Sequence, residues 1–209
     1  MKERIISRLR ESADIKLRFA KESVAEVEEA ASTIIKSLKS GGKVLIFGNG
    51  GSAADSQHIA AEFVNRYLKE RKALSALALT TDSSILTSIP NDGSFEDVFS
   101  RQIEALGNKG DVAWGITTSG KSANILKAFQ TAKALGLKTI AFTGQEKGRV
   151  EKTVDCSVSV PSKSTPRIQE LHITLAHIIC EIVEESFAAK KEPSRKESPK
   201  AEPGAPSKA

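Results

Sequence analysis

Residues 43–54 read KVLIFGNGGSAA, and this passage decides the fold class. Val44, Leu45, Ile46 and Phe47 form an unbroken apolar run rich in β-formers, as in a strand buried on both faces. Gly48-Asn49-Gly50-Gly51 breaks the run, and a helical stretch follows over residues 53–67. Strand, glycine turn and helix make the first half of a βαβ unit. The alternation continues downstream. LSALAL (74–79) reads as a strand, 83–88 as a helix, Pro90-Asn91-Asp92-Gly93 as a turn and 95–106 as a further helix. The strand DVAWGI (111–116), a helix over 123–135, the strand KTIAFTG (138–144) and strand-like VDCSVSV (154–160) follow, before a long amphipathic helix over 166–187. The spacing predicts an α/β fold: a doubly wound, mostly parallel sheet covered by helices on both faces.

The flanks differ from this centre. Residues 2–39 lack Pro and Gly and carry Ile5, Ile6, Leu9, Leu17, Val24, Val27, Ile34, Ile35 and Leu38 at helical spacing. One long helix or two in sequence fit, stopping at Gly41-Gly42. So long an apolar stripe needs a partner, either the domain's own core or a neighbouring subunit. At the other end, residues 188–209 are Pro-rich and without large apolar side chains. They are expected to stay disordered because they bury too little to offset ordering entropy. The expected organisation is a helical segment over 1–40, an α/β domain over 41–187, and a basic tail.

The tail also explains the charge. It holds six Lys or Arg against three Glu, a surplus of +3 within the total of +5, which leaves +2 for all the rest. That is too little for a nucleic-acid-binding surface, and a single Trp and a single Tyr offer no stacking platform. The basic N-terminus has no apolar signal core, and no window approaches a membrane span. The cytoplasm is the expected compartment. Cys156 and Cys180 sit in apolar surroundings without metal or redox spacing, and read as two reduced, buried thiols.

Two glycine-rich turns imitate nucleotide-binding motifs. Gly48–Ala53 matches G-x-G-x-x-A, the dinucleotide fingerprint, which needs an acidic residue about 20 positions on. The first candidate, Asp82, is 34 positions after Gly48. Residues 115–122, GITTSGKS, match G-x-x-x-x-G-K-[ST], but Gly115 lies inside the apolar run VAWGI instead of opening a loop. Both turns share a simpler property. Each follows a strand, carries small and hydroxyl residues (Ser52, Thr117, Thr118, Ser119, Ser122), and opens a helix whose N-terminal amides favour an anion. A phosphate monoester on a small molecule explains both turns, whereas ATP explains only one. Lys121 is expected to point to solvent.

Two helices carry titratable residues. His58 and Glu62 stand four apart, one turn up the same face. A solvated pair is the plain reading, yet Ile59, Ala60, Ala61 and Phe63 flank them, and their helix begins at the proposed phosphate site. On the last helix Gln169 and His177 are about 80° apart, and His172 and His177 about 140°, at 3.6 residues per turn. Only one of the two histidines shares a face with Gln169, and helical geometry does not say which.

The segments KVLIFGNGGSAADSQHIAAEFVNR, IPNDGSFEDVFSRQIEALGNKGDVAWGITTSGKSANILKA and RIQELHITLAHIICEIVE resemble the phosphoheptose isomerases of the sugar-isomerase (SIS) family, over residues 1–187. The resemblance implies interconversion of sedoheptulose 7-phosphate and D-glycero-D-manno-heptose 7-phosphate, an early step toward heptose-containing surface glycans. It implies Glu62 and His177 as the acid/base pair, and selects His177 over His172. His58, Glu62, Gln169 and His177 would be zinc ligands. Asn49, Gly50, Gly51, Ser52, Asn91, Asp92, Thr117, Thr118, Ser119 and Ser122 would hold the sugar phosphate, with Glu62 and Gln169 also facing it. A homotetramer with sites between subunits is implied too. Lys121 departs from the Asn often found at its place. The residue types suit the chemistry: a carboxylate can move a carbon-bound proton, an imidazole an oxygen-bound one, and a divalent ion can stabilise an enediolate. The rival expectation is a non-catalytic SIS protein that binds the replication initiator; retention of Glu62 and His177 favours the enzyme. A sugar-phosphate-sensing regulator would need a separate DNA-binding domain, for which the first 40 residues are too few.

Overall fold

The computed structural model describes residues 1–146 and 148–188. The expected tail lies outside the described residues from position 189 onward. Two helices, α1 (Lys2–Glu22) and α2 (Val24–Lys39), lead into strand β1 (Val44–Gly48) and helix α3 (Gly51–Val64). Then come β2 (Ala76–Ala78), α4 (Ser83–Asp92), α5 (Ser100–Leu106), β3 (Val112–Ile116), α6 (Ala123–Ala134), β4 (Lys138–Thr143), β5 (Cys156–Ser159) and α7 (Thr165–Phe187).

The five strands form one sheet in the order β2-β1-β3-β4-β5, and every pairing is parallel. The central strands β1 and β3 are buried at every position, which is why their sequences are continuous apolar runs rather than alternating ones. Val44, Ile46, Val112, Trp114, Ile140 and Phe142 face α2, α3 and α7 on one side. Leu45, Phe47, Ala113 and Ala141 face α5 and α6 on the other. Gly115 belongs to this second packing. A Cβ there would lie 2.5 Å from Phe129 and 2.8 Å from Phe47, so the glycine makes room for two rings and opens no P-loop.

The strand order reverses between β1 and β3, the topological switch point where open α/β sheets place their ligands. Register pairs Gly48 with Ile116, so both strands end level and their glycine-rich turns emerge side by side.

Some expected boundaries shift. Pro90-Asn91-Asp92 is not a separate turn: α4 runs through it, with Pro90 inside the helix. The Asp82 carboxylate accepts from the Ile85 N–H at 3.0 Å and fixes the start of α4, and proline's φ is helical already. The helix expected over 95–106 is a single 3-10 turn, Phe95–Asp97, followed by α5. The strand expected over 74–79 shrinks to three residues at the sheet edge, where only one neighbour supplies hydrogen bonds. Residues 2–39 form two helices, and α1 and α2 both pack on α7.

Candidate active site

Gly50, at φ +58°, occupies the left-handed region that glycine tolerates, and turns the chain from β1 into the first residue of α3. Gly51 is needed for a different reason: a Cβ there would lie 2.6 Å from the Gln169 amide nitrogen. The start of α3 and the first turns of α7 are thereby brought into close approach. Ser52 is buried, and its carbonyl accepts from the Ser56 hydroxyl at 2.7 Å.

The second turn lies beside the first. Thr117 is buried, its hydroxyl accepting from the Gly120 N–H at 3.3 Å, and the Ser119 hydroxyl accepts from the Lys121 N–H at 3.2 Å. Ser122 stands at the N-cap position of α6 without a side-chain cap bond, which leaves the first amides of that helix free. The two turns are tied directly. Asn49 Nδ2 donates to Asn124 Oδ1 at 3.0 Å, and Asn124 Nδ2 returns a bond to Asn49 Oδ1 at 2.9 Å. Asn124 is only 4% exposed. Lys121 pairs with Glu146 at 2.7 Å, with both side chains exposed. The hydrogen bond from Lys121, its charge and that of Lys163 hold the Glu146 carboxyl below its ordinary range.

Helices α3 and α7 pack against each other on one face of the sheet. They bring His58, Glu62 and His177 together. His58 Nε2 is 2.9 Å from His177 Nε2 and 3.5 Å from Glu62 Oε1. Potential ligand atoms of all three lie within 4.8 Å of one another. Two ring nitrogens this close share either a proton or a cation, and zinc–nitrogen bonds of about 2.0–2.1 Å put tetrahedral ligands roughly 3.3 Å apart. The donor set of two imidazoles and one carboxylate fits a divalent ion. The Tyr67 ring stacks on His177, with centroids 5.7 Å apart at 27°. Asp55, one turn before His58, is half-buried. Burial raises its carboxyl above the usual range, while the nearby charges of His58 and His177 pull the other way.

His172 goes elsewhere. It is 1% exposed, and its Nε2 donates to the Thr143 carbonyl at 3.0 Å. Asn91 and Asp92 sit exposed at the end of α4, bonded to each other at 2.8 Å.

Residues 9–144 match the SIS domain family. The chain belongs to that family. This SIS-domain chain is 53% identical over 175 residues to the phosphoheptose isomerase of Thermodesulfovibrio yellowstonii, covering 84% of the chain and 87% of the relative. It is 54% identical over 185 residues to that of Aquifex aeolicus, covering 88% and 97%. Among solved structures, the Neisseria gonorrhoeae phosphoheptose isomerase GmhA superposes with a TM-score of 0.83 at 41% identity, over 88% of this chain and 98% of that one. The Francisella tularensis phosphoheptose isomerase gives 0.85 at 36%, over 88% and 97%. More distant SIS folds, such as the Vibrio vulnificus NanR protein at 11% identity and a TM-score of 0.62, share the fold alone.

Asn124, Tyr67 and Asp55 were not singled out by sequence. Asp55 stands three before His58, a spacing that was available to be read. Asn124 and Tyr67 carry no such signal: one acts by facing an amide across two loops, the other through a loop that folds back onto α7.

Proposed function

We propose that this SIS-domain protein is a phosphoheptose isomerase that converts sedoheptulose 7-phosphate to D-glycero-D-manno-heptose 7-phosphate through an enediol. The observation that carries the reading is the meeting of Glu62 with His58 and His177 beside two phosphate-type turns, in a chain about half identical to phosphoheptose isomerases over most of its length. The hydroxyls of Ser119 and Ser122 and the α6 amides hold the phosphate, with Ser52, Thr117 and Thr118 lining it. Asn49, Gly50, Gly51, Asn91, Asp92 and Gln169 orient the sugar. Glu62 removes a proton from C1 of the ketose and delivers a proton, open to exchange with solvent, to C2 of the enediol. His177 moves the accompanying proton from O1 to O2, so no atom is gained or lost.

His58, Glu62, Gln169 and His177 are the residues that would hold a zinc ion, which when bound supplies a Lewis acid for the developing enediolate oxygens. Assembly into a homotetramer is supported by apolar side chains left open along the first two helices: Ile5, Leu9, Leu17 and Val24 are 54–68% exposed. The open position of Asn91 and Asp92 is consistent with a site completed by a neighbouring subunit. The domain division at about residue 40 and residue 187, and a cytoplasmic location, belong to the same reading. For the latter, no helix among the described residues is long and apolar enough to cross a membrane. The initiator-binding alternative finds no support among the relatives above.

The test is turnover of sedoheptulose 7-phosphate by NMR, with and without added zinc, for the wild type, Glu62→Gln and His177→Gln. Conversion by the wild type that folded variants lose supports the reading. A folded wild type that leaves the sugar unchanged with zinc present overturns it.

A further inference from the structure

Beneath the candidate site lies a pair of buried charges that the proposed chemistry does not use. Glu184 on α7 and Arg71, in the loop after α3, have side chains only 1% exposed, with Arg71 Nε 3.3 Å from Glu184 Oε1. The Glu184 carboxylate accepts from three successive backbone N–H groups, those of Tyr67 at 2.7 Å, Leu68 at 2.6 Å and Lys69 at 2.7 Å. The Arg71 guanidinium donates to the carbonyls of Glu62 at 2.7 Å, Phe63 at 2.8 Å, Lys72 at 3.0 Å and Asn65 at 3.3 Å. A cation thus caps the C-terminal turn of α3, and an anion gathers the amides of the loop that follows.

The geometry links both halves to the site. Arg71 grips the backbone of Glu62 itself. Glu184 is seven residues after His177 on α7, which brings it to within about 20° of the same helix face. It also holds the N–H of Tyr67, whose ring lies on the His177 imidazole. A buried ion pair is weak evidence for stability, since apolar residues of equal volume often serve a core as well. Its hydrogen bonds are directional, however, and fix one spacing between the elements they join.

We propose that Glu184 and Arg71 are positioning residues: a buried clamp that sets the separation of Glu62 and His177 and, through Tyr67, the orientation of the His177 ring. The inference rests on the acid/base reading above. Outer partners that orient functional side chains typically matter by about 10–100-fold.

The test uses Glu184→Gln, which keeps shape but removes charge, and Arg71→Lys, which keeps charge but cannot span four carbonyls. Kinetics are read beside the ring signals of histidine labelled with nitrogen-15, since the chain has three histidines in all. The expected result is kcat lower by about tenfold or more, KM changed less than about threefold, and the His58 and His177 signals shifted while His172 stays in place. Arg71→Lys gives the same pattern more weakly, and carries the test if Glu184→Gln does not fold. Unchanged kcat in a folded variant overturns the clamp, and so does a loss confined to KM or a shift of all three rings. Glu62→Gln and His177→Gln run in parallel separate the two readings. If they retain turnover, the acid/base assignment fails whatever the clamp variants do. If they lose it while the clamp variants match wild type, only the clamp fails.

Discussion

His172 donates Nε2–H to the Thr143 carbonyl, and its Nδ1 has no hydrogen-bond partner among the described residues. Burial depresses its pKa from 6.5 to about 4, with the bond to Thr143 acting the other way. Because the folded value lies below the unfolded one, the neutral ring contributes stability above pH 6.5 that is lost as pH falls toward 4. Linkage puts the loss at up to about 3 kcal/mol. We therefore expect the urea midpoint of the wild type to fall between pH 7 and pH 4.5 more steeply than that of His172→Gln, which keeps a donor for Thr143 but cannot gain a charge. Asn124 is a second case at this scale. Removing its amide in Asn124→Ala leaves Asn49 without its reciprocal partner at a cost of about 1–3 kcal/mol. KM for the sugar phosphate should rise several-fold, measured by initial rates. Lys121, paired with Glu146, should tolerate Asn with KM changed less than about threefold. The sequence match to a P-loop arose because a lysine happened to follow a glycine in a turn rich in hydroxyls and free amides. Spacing alone could not reveal where that lysine's ammonium goes.

Two glycines carry the predictions at the scale of elements. In Gly115→Ala the new methyl meets Phe129 and Phe47 inside the sheet–helix layer, and overpacking should destabilise the fold by about 1–3 kcal/mol, seen as a lowered urea midpoint. In Gly51→Ala the new methyl meets only the tip of the Gln169 side chain, which can swing aside. Stability should stay near wild type while zinc affinity, measured by competition with a chelator dye, falls by roughly tenfold. The contrast follows from what each Cβ would strike. The strands were readable in the sequence because β1 and β3 are buried on both faces and so are apolar throughout. Proline and edge pairing obscured the rest. Pro90 reads as a breaker, yet it sits in the last turn of α4, where its fixed φ already suits the helix. LSALAL reads as a full strand, but pairing on one side only supports three residues of it.

At the scale of the whole molecule, the candidate site is a product of topology. His58 and His177 are 119 positions apart, and only the packing of α3 on α7 makes them neighbours. Periodicity placed each on an amphipathic helix and left His172 and His177 undecided; family resemblance chose between them, and the core then accounts for the other. The burial of Cys156 and Cys180 is a global property of the same kind. Burial first, then nearby carboxylates, pushes both thiols up to about 12, so native protein should react with a thiol reagent only as fast as it opens. The open apolar face of α1 predicts assembly: sedimentation should give a tetramer, and Leu9→Glu should weaken it together with turnover. The proposed role of Glu62 is to move a carbon-bound proton of a heptose phosphate within this site. Its most direct measurement is proton NMR of sedoheptulose 7-phosphate with the enzyme in deuterium oxide. The wild type should form the aldose with deuterium entering at C2, and folded Glu62→Gln should give neither exchange nor product. Product formed, or exchange undiminished, in folded Glu62→Gln would contradict it.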